Sequence, residues 1–452
     1  MTVTETQPDQ NSSRFRYWQY RTIIATMFGY MLFYFLRKNF SLAMPGIEAE
    51  LGITKTNLGL FLTLHGLVYG LSKFLNGYLG DRINSRLFMS IGLALCVLVN
   101  VLFGFGPVIA AYLTGGYGGA SFMNTLIIIF GLLWVLNGLF QGSGFPPCAR
   151  LLTHWIPPNE LATKMSVWNT SHSVGAGLIV IVCGYIMTYG GEGAWRYCFW
   201  VPAAIAALGI VVLLLALRDT PRSVGLPELA GTEIKGIEED QPVSRAFLYE
   251  RVFFNPVIWM IGLANFTLNL VRFSVLDWGP TLLKESKGLT LDHAGWLVAG
   301  FEIAGIIGML AAGWITDRYM GGRGPRICAI CMFGAALSVT LFWLLPATAP
   351  VGLLLASLLA AGFFIYGPQA LTGITAANIS TKKLAGTSIG FTSLFSYASV
   401  LVSGVGMGAI AQHYGWNYVY ILVVAMAIAS AGIFLSLWNV KAHAYDDLAD
   451  EA

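Results

Sequence analysis

The sequence has little charge for its length. Of its 452 residues, 11% are Asp, Glu, Lys or Arg, while 56% are hydrophobic, and the mean hydropathy is +0.67. Soluble chains carry about a quarter charged residues, so this composition excludes an ordinary soluble protein. The net charge of +3 is small and by itself says little about partners, and we expect no nucleic-acid partner.

Features of a secreted, metal-binding or catalytic protein are also scarce. All six cysteines lie within or at the ends of apolar runs, so no disulfide framework is predicted. Cys328 and Cys331 form a C-x-x-C without a second pair, and we predict neither a metal site nor a cofactor. The polar N-terminus contains Glu5 and Asp9 and does not resemble a cleavable signal peptide. The sequence shows no nucleophile with an accompanying base, so an enzyme is not expected.

What the chain has in abundance is long apolar runs, each long enough to cross about 30 Å of hydrocarbon. They predict an all-α membrane protein with twelve transmembrane helices in two sets of six. The predicted spans are 22–44, 58–80, 87–110, 121–146, 163–188, 196–217, 257–283, 294–316, 326–346, 350–375, 385–411 and 416–438. A polar, charged segment separates the sets. The predicted domains are therefore a bundle over 1–217, a cytoplasmic linker over 218–254 and a second bundle over 255–452.

Basic residues are distributed unequally between the loops. With both termini inside, 18 of the 26 Lys and Arg residues lie on the cytoplasmic side, 4 lie outside and 4 lie within spans. Loops with an excess of Lys and Arg stay in the cytoplasm. We therefore expect a multi-pass protein of the bacterial inner membrane with both termini in the cytoplasm.

The two halves repeat a loop motif. Gly77 precedes Asp81-Arg82 after the second span, and Gly313 precedes Asp317-Arg318 after the eighth, 236 residues further on. Two copies in loops on the same side indicate a duplicated transporter rather than a membrane-anchored enzyme. We predict that these six residues latch one conformation without touching substrate.

Four cations fall inside the predicted spans: Arg37, Lys38, Lys73 and Arg272. Each is costly facing lipid and is expected to face an interior pathway. The clear carboxylates at this depth are Glu302 and Asp277, so the excess is about two positive charges. Such an excess favours a dianion such as a phosphate monoester. Two alternatives remain open: Lys38 could extend to the outer interface, and Asp277 could simply neutralise Arg272.

Polar and aromatic residues share helix faces with these cations, which indicates a lined pathway. They recur at helical spacing on four predicted helices. The sets are Tyr30, Tyr34, Arg37 and Lys38; His65, Tyr69 and Lys73; Trp168 and His172, beside Asn169; and Asn265, Asn269 and Arg272.

The glycine-aspartate-arginine loop motif resembles that of the major facilitator superfamily, and more specific segments resemble one of its families. They are Tyr34-Phe35-Leu36-Arg37-Lys38-Asn39-Phe40, Tyr69-Gly70-Leu71-Ser72-Lys73-Phe74, Phe145-Pro146-Pro147-Cys148-Ala149-Arg150, Ser166-Val167-Trp168-Asn169-Thr170-Ser171-His172, Leu276-Asp277-Trp278, Phe301-Glu302 and Ile365-Tyr366-Gly367-Pro368-Gln369. Matching segments extend from about 16 to 435. The chain is similar to the organophosphate:phosphate antiporters, which include glycerol-3-phosphate and hexose-phosphate transporters and a hexose-phosphate sensor.

The resemblance implies a major facilitator fold with pseudo-two-fold symmetry. It also implies exchange of a sugar phosphate or glycerol phosphate for inorganic phosphate by alternating access. Arg37 and Arg272 would hold the phosphate, Lys38, Lys73 and His172 would support it, and Tyr30, Tyr34, Tyr366 and Tyr397 would line the site. Trp168, Asn169 and Asn269 complete the predicted binding set. Asn269 and Phe145 stand where glycerol-phosphate members usually have tyrosine and tryptophan, which leaves the organic group open.

Two other functions remain possible on the sequence. A receptor for sugar phosphate could act through a membrane kinase partner and would share the binding residues. A proton symporter would need a titrating carboxylate in the pathway. Glu302 is the one good candidate for it, although a structural contact between helices is the better interpretation.

Overall fold

The computed structural model describes residues 13–80, 83–156, 158–227, 249–320, 323–379 and 385–440. Within these ranges all regular elements are helices. They are α1 (Ser13–Leu51), α2 (Lys55–Gly80), α3 (Ser85–Gly104), α4 (Gly106–Thr114), α5 (Gly119–Gln141), α6 (Phe145–Trp155), α7 (Pro158–Tyr189), α8 (Ala194–Ala216), α9 (Pro256–Lys287), α10 (Leu291–Tyr319), α11 (Gly324–Leu344), α12 (Val351–Ile379), α13 (Ala385–Ala398), α14 (Met407–His413) and α15 (Trp416–Ser436). A short 3₁₀ helix (Pro221–Val224) and two π-helical turns (Tyr249–Phe253 and Val402–Gly406) complete the described elements.

The predicted all-α membrane fold is confirmed. Ten helical segments of the described chain are long and apolar enough to cross a membrane. The first two predicted spans lie in α1 and α2, whose 39 and 26 residues are enough to cross about 30 Å of hydrocarbon.

Proline interrupts the helix in one predicted span but not in another. The third predicted span is split at Phe105, because Gly106-Pro107 begins a new helix and Pro is favoured in the first helical turn. The tenth predicted span is not divided, since α12 continues through Tyr366-Gly367-Pro368 although proline usually breaks a helix. Apolar surroundings offer the neighbouring backbone groups no partner other than the helix itself, which favours continuing it across a proline.

The chain folds as two compact units that do not follow the halves of the sequence. The first contains the chain up to Phe40, Val68–Ile179 and the chain from Trp195 into the central segment. The second contains Ser41–Leu67, Val180–Ala194 and the second half of the chain. The domain boundaries near 217 and 254 therefore stay a prediction.

Stacked aromatic rings form the core of the first unit. The Phe103 ring centroid lies 4.2 Å from that of Phe130 and 4.3 Å from that of Phe199, and Phe40 stacks on Trp134 at 4.6 Å. These five side chains are fully buried. They join α1, α3, α5 and α8 through large ring contacts.

Glycines allow helix backbones to approach closely in the second unit. A Cβ on Gly59 of α2 would lie 2.4 Å from the Gly404 carbonyl oxygen, and one on Gly184 of α7 would lie 2.6 Å from the Leu291 carbonyl oxygen. Small residues at such crossings are the usual means of packing helices in membranes.

Lys55 links three segments of the second unit. Its Nζ lies 2.6 Å from Glu48 Oε1 and 3.1 Å from Glu285 Oε1, and Trp416 Nε1 donates to Glu285 Oε2 at 2.8 Å. Burial lowers the pKa of Lys55, but the hydrogen bonds and charges of Glu48 and Glu285 outweigh burial and raise the pKa above its ordinary value. Lys55 therefore stays protonated at neutral pH and joins the end of α1 to the start of α2 and the last turns of α9.

The glycine contacts yield a test of this packing. Gly59→Ala should lower the melting temperature of the purified protein in detergent, because overpacking a close contact costs about 1–3 kcal/mol. Gly432→Ala is the matched control, since a Cβ there meets open space on α15. Equal melting temperatures for both variants would show that α2 does not pack against Gly404 as described.

Candidate functional site

Arg37 lies between two tyrosine rings in the first unit. Its Cζ is 4.1 Å from the ring centroid of Tyr34 on α1 and 4.7 Å from that of Tyr69 on α2. The Tyr69 hydroxyl also hydrogen-bonds to Arg37, and Tyr30 hydrogen-bonds to both Tyr34 and Tyr69. Cation–π contacts stabilise a guanidinium without neutralising its charge. We call Arg37, Tyr30, Tyr34 and Tyr69 the Arg37 cage.

Arg37 has an unused hydrogen-bond donor. Its Nε is buried and has no hydrogen-bond partner within the part of the chain that the structure describes. No acidic side chain of those residues pairs with the guanidinium either. Buried donors are nearly always satisfied in folded proteins. The Arg37 cage therefore offers both a positive charge and a free N–H to an anion.

Helix α7 extends the Arg37 cage. The Trp168 ring stacks on Tyr30 at 5.0 Å, and its Nε1 donates to Thr26 Oγ1 at 3.1 Å. The His172 ring lies 5.6 Å from that of Tyr34. His172 Nδ1 donates to the Asn169 carbonyl one turn earlier, which leaves Nε2 of the neutral ring as an acceptor. Asn169 itself has an exposed side chain.

Lys73 brings a second cation to this unit. Its Nζ lies 4.8 Å from the centre of the Phe145 ring, which itself packs at 6.2 Å from Tyr30. Phe145 and Tyr69 were missing from the predicted binding set. The spacing of Tyr69 and Lys73, one helical turn apart, was a usable signal for Tyr69. Phe145 had no such signal, because it begins a different helix.

Arg272 forms the corresponding site in the second unit. Its Nη2 donates to the Tyr366 hydroxyl at 3.2 Å, and its Cζ lies 4.8 Å from the Tyr366 ring centroid. A Cβ on Gly305 would lie 2.4 Å from that ring, so α10 needs glycine there to admit the tyrosine. We call Arg272 and Tyr366 the Arg272 site.

Glu302 adjoins the Arg272 site. It is buried on α10 and hydrogen-bonds to the Tyr366 hydroxyl. Its Oε2 has no hydrogen-bond partner among the described residues. Glu302 thus reaches Arg272 through Tyr366, which fits a role in holding that arginine and its tyrosine between α9, α10 and α12.

Asn269 orients its own helix. Its Nδ2 donates to the Asn265 carbonyl at 2.9 Å and to Asn265 Oδ1 at 2.7 Å, and Asn265 Nδ2 donates to the Thr392 carbonyl at 3.0 Å. Both hydrogens of the Asn269 amide are therefore used within the protein. Asn265 in turn ties α9 to α13, and the role of Asn269 in substrate binding stays a prediction.

The remaining predicted residues are Lys38, Tyr397 and the six residues of the latch. Lys38 on α1 and Tyr397 on α13 are half-buried. Of the predicted latch, Asp81 and Arg82 lie outside the described residues, and the side chain of Asp317 is likewise not described. Gly77 and Gly313 lie within α2 and α10, and Arg318 is exposed in the last turn of α10. The latch stays a prediction.

Comparison with known proteins identifies the family. The model of the Major Facilitator Superfamily matches residues 26–397 and 280–448. The chain is 36% identical to the "Probable hexose phosphate transport protein" of Chlamydia pneumoniae, over 94% of this chain and 92% of the relative. It is 37% identical to the "Membrane sensor protein UhpC" of Salmonella typhimurium (97% and 95% covered). It is 35% identical to the "Glycerol-3-phosphate transporter" of Bacillus subtilis (93% and 92% covered).

A solved structure agrees on the fold. The crystal structure of a D-xylose-proton symporter superimposes with a TM-score of 0.69 at 16% identity, covering 92% of this chain and 97% of that one. The all-helical membrane architecture and these relatives agree. The chain belongs to the major facilitator superfamily and, within it, to the organophosphate:phosphate antiporter family.

Proposed function

We propose that this protein is a secondary transporter that exchanges a phosphorylated sugar or glycerol phosphate for inorganic phosphate by alternating access. One observation carries the proposal: among the described residues, the Arg37 guanidinium is held by the faces of Tyr34 and Tyr69 and not by a carboxylate. An arginine so held is fixed in place and keeps its full charge. Phosphate fits such a group because arginine presents paired donors in a planar fork.

Both arginines are assigned to the phosphate of one substrate. The support for this is the near-equal register of Arg37 and Arg272 in the two halves, 235 residues apart, and the family resemblance. Lys73 adds positive charge close to Phe145 and Tyr69 in the first unit. His172, next to Tyr34, would tune the preference for a singly or doubly charged phosphate, since histidine titrates near neutral pH.

The relatives support an organophosphate as the transported molecule. They are named for hexose phosphate, glycerol-3-phosphate and phosphoglycerate. All three molecules share a phosphate, which matches the arginines, and differ in the organic group. The Arg37 cage and the Arg272 site would thus bind the phosphate, which all three molecules contain.

Inorganic phosphate is proposed as the counter-substrate because of electrostatics. A buried cation without an anion is costly, so the empty protein should change conformation slowly. Bound phosphate or organophosphate lowers that cost in both directions. Exchange follows without a separate driving ion. In this proposal the protein lies in the bacterial inner membrane, with both termini in the cytoplasm.

A sensor is the second candidate, and the 37% identity to a membrane sensor protein favours it. Such a protein would bind sugar phosphate through the same residues and pass the signal to a kinase partner. Transport separates the two functions, because a sensor need not move its ligand across the membrane.

The arginines provide the first test of the proposed function. Arg37→Ala or Arg272→Ala should abolish phosphate exchange in reconstituted vesicles, because losing a buried charged partner costs about 2–5 kcal/mol of binding free energy. Both variants should still fold. Arg196→Ala is a matched control, since the Arg196 guanidinium also lies on an aromatic ring, 4.6 Å from the centre of Trp195. Exchange near the wild-type rate in either test variant would refute the assignment.

Counterflow tests the coupling. Vesicles loaded with inorganic phosphate should take up labelled glucose 6-phosphate or glycerol 3-phosphate even after an uncoupler has collapsed the proton gradient. Vesicles without internal phosphate should accumulate little.

Two other results would contradict the exchange mechanism. Strong uptake into phosphate-free vesicles, abolished by the uncoupler and by Glu302→Gln, would instead establish proton symport. Tight binding of the sugar phosphate without any uptake would favour the sensor.

A further inference from the structure

We infer that three buried amide side chains, Asn100, Asn137 and Gln141, are positioning residues for Arg37, an inference that rests on the proposed function. They lie on α3 and α5 and donate hydrogen bonds to backbone carbonyls of α1. Asn137 Nδ2 reaches the Leu36 carbonyl at 2.9 Å, and Asn100 Nδ2 reaches the same oxygen at 3.2 Å. Gln141 Nε2 reaches the Phe33 carbonyl at 2.9 Å. We call these three residues the amide ladder.

The amide ladder acts on the turn of α1 that carries Arg37. In an α-helix the Phe33 carbonyl accepts the backbone N–H of Arg37, four residues later. Gln141 uses the second lone pair of that oxygen. The Leu36 carbonyl belongs to the peptide that joins Leu36 to Arg37. The amide ladder therefore fixes the two peptide groups that place Arg37.

The amide ladder and the Arg37 cage occupy different faces of α1. Phe33, Leu36 and Phe40 are fully buried towards the core of the first unit, whereas Tyr34 and Arg37 are half-buried. At 100° per residue, the centres of these two faces are separated by roughly a quarter to a third of a turn. Apolar packing tolerates small slides and rotations of a helix, but directional hydrogen bonds specify one register. The amide ladder thus fixes the register of α1, and the position of Arg37 in the Arg37 cage follows from that register.

Asn39 extends the amide ladder to a fourth helix. Its Nδ2 donates to Asn100 Oδ1 and to the Cys198 carbonyl of α8, each at 2.9 Å. Its Oδ1 is buried and has no hydrogen-bond partner within the described ranges. Four helices are therefore connected through hydrogen bonds just behind Arg37.

The precision of anion binding explains why such bonds would be retained. A binding group must be held within about 0.5 Å of its working position by the residues behind it. Tyr34 and Tyr69 hold the guanidinium but are themselves mounted on α1 and α2. The amide ladder fixes α1 relative to α3 and α5, and so fixes the base from which Arg37 extends.

The test uses Asn137→Leu and Gln141→Met, which keep side-chain volume and remove the donors. The first readout does not depend on phosphate: phenylglyoxal modification of Arg37, followed by peptide mass spectrometry, with Arg272 in the same protein as internal reference. Each variant should speed modification of Arg37 about three- to tenfold, the factor expected from losing one hydrogen bond, and leave Arg272 unchanged. Ser90→Ala on α3 is the control, since Ser90 is buried and its Oγ has no partner among the described residues.

The second readout is phosphate affinity in two arginine backgrounds. Asn137→Leu should weaken phosphate binding about three- to tenfold alone and in an Arg272→Lys background, but add little in an Arg37→Lys background. A general loss of structure would weaken binding equally in both backgrounds, and that result would overturn the inference. Unchanged modification of Arg37 in both variants would overturn it as well. Wild-type protein that binds no phosphate would refute the proposed function, and the modification ratio would still decide the role of the ladder.

Discussion

A positive charge buried in an apolar helical protein is the constraint on which the rest depends. Arg37 cannot give up its proton, and no carboxylate of the described residues offsets its charge. The protein stabilises the guanidinium with the negative faces of Tyr34 and Tyr69 instead. This arrangement lowers the cost of burial and keeps the charge available. In the proposed function the site is complete only when an anion is present, which would explain why the carrier moves only when it is loaded.

The two arginines are supported in different ways. Arg37 lies between ring faces and is backed by the amide ladder, whereas Arg272 donates to the Tyr366 hydroxyl, which in turn hydrogen-bonds to Glu302. The Arg272 site therefore has a carboxylate one group away, whereas no carboxylate of the described residues pairs with the Arg37 guanidinium. We expect the Arg37 cage to contribute more of the uncompensated charge that attracts phosphate. The two arginines stand 235 residues apart at nearly the same register of the two halves of the sequence, and their surroundings differ.

Sequence reasoning recovered what is periodic and local. The apolar runs predicted the spans and the cations within them. Spacing on one helix predicted the alignment of Tyr30 and Tyr34 with Arg37. It failed where partners come from other helices: Phe145 meets Lys73 across helices, and the amides that reach α1 come from α3 and α5. Spacing placed Asn269 on the same helix face as Arg272, but it could not show that Asn265 accepts hydrogen bonds from the Asn269 amide. The uninterrupted α12 at Pro368 reflects a tertiary setting that overrides a local breaker.

The most direct test of the account is whether Arg37 and Arg272 act on the same anion. Equilibrium binding of inorganic phosphate would be measured for the wild type, Arg37→Lys, Arg272→Lys and the double variant, since lysine retains charge and some binding. Groups that share one ligand should show a coupling of about 0.5–3 kcal/mol in this cycle. Losses that add within about 0.5 kcal/mol would mean that the two arginines work independently, and the shared phosphate would be contradicted.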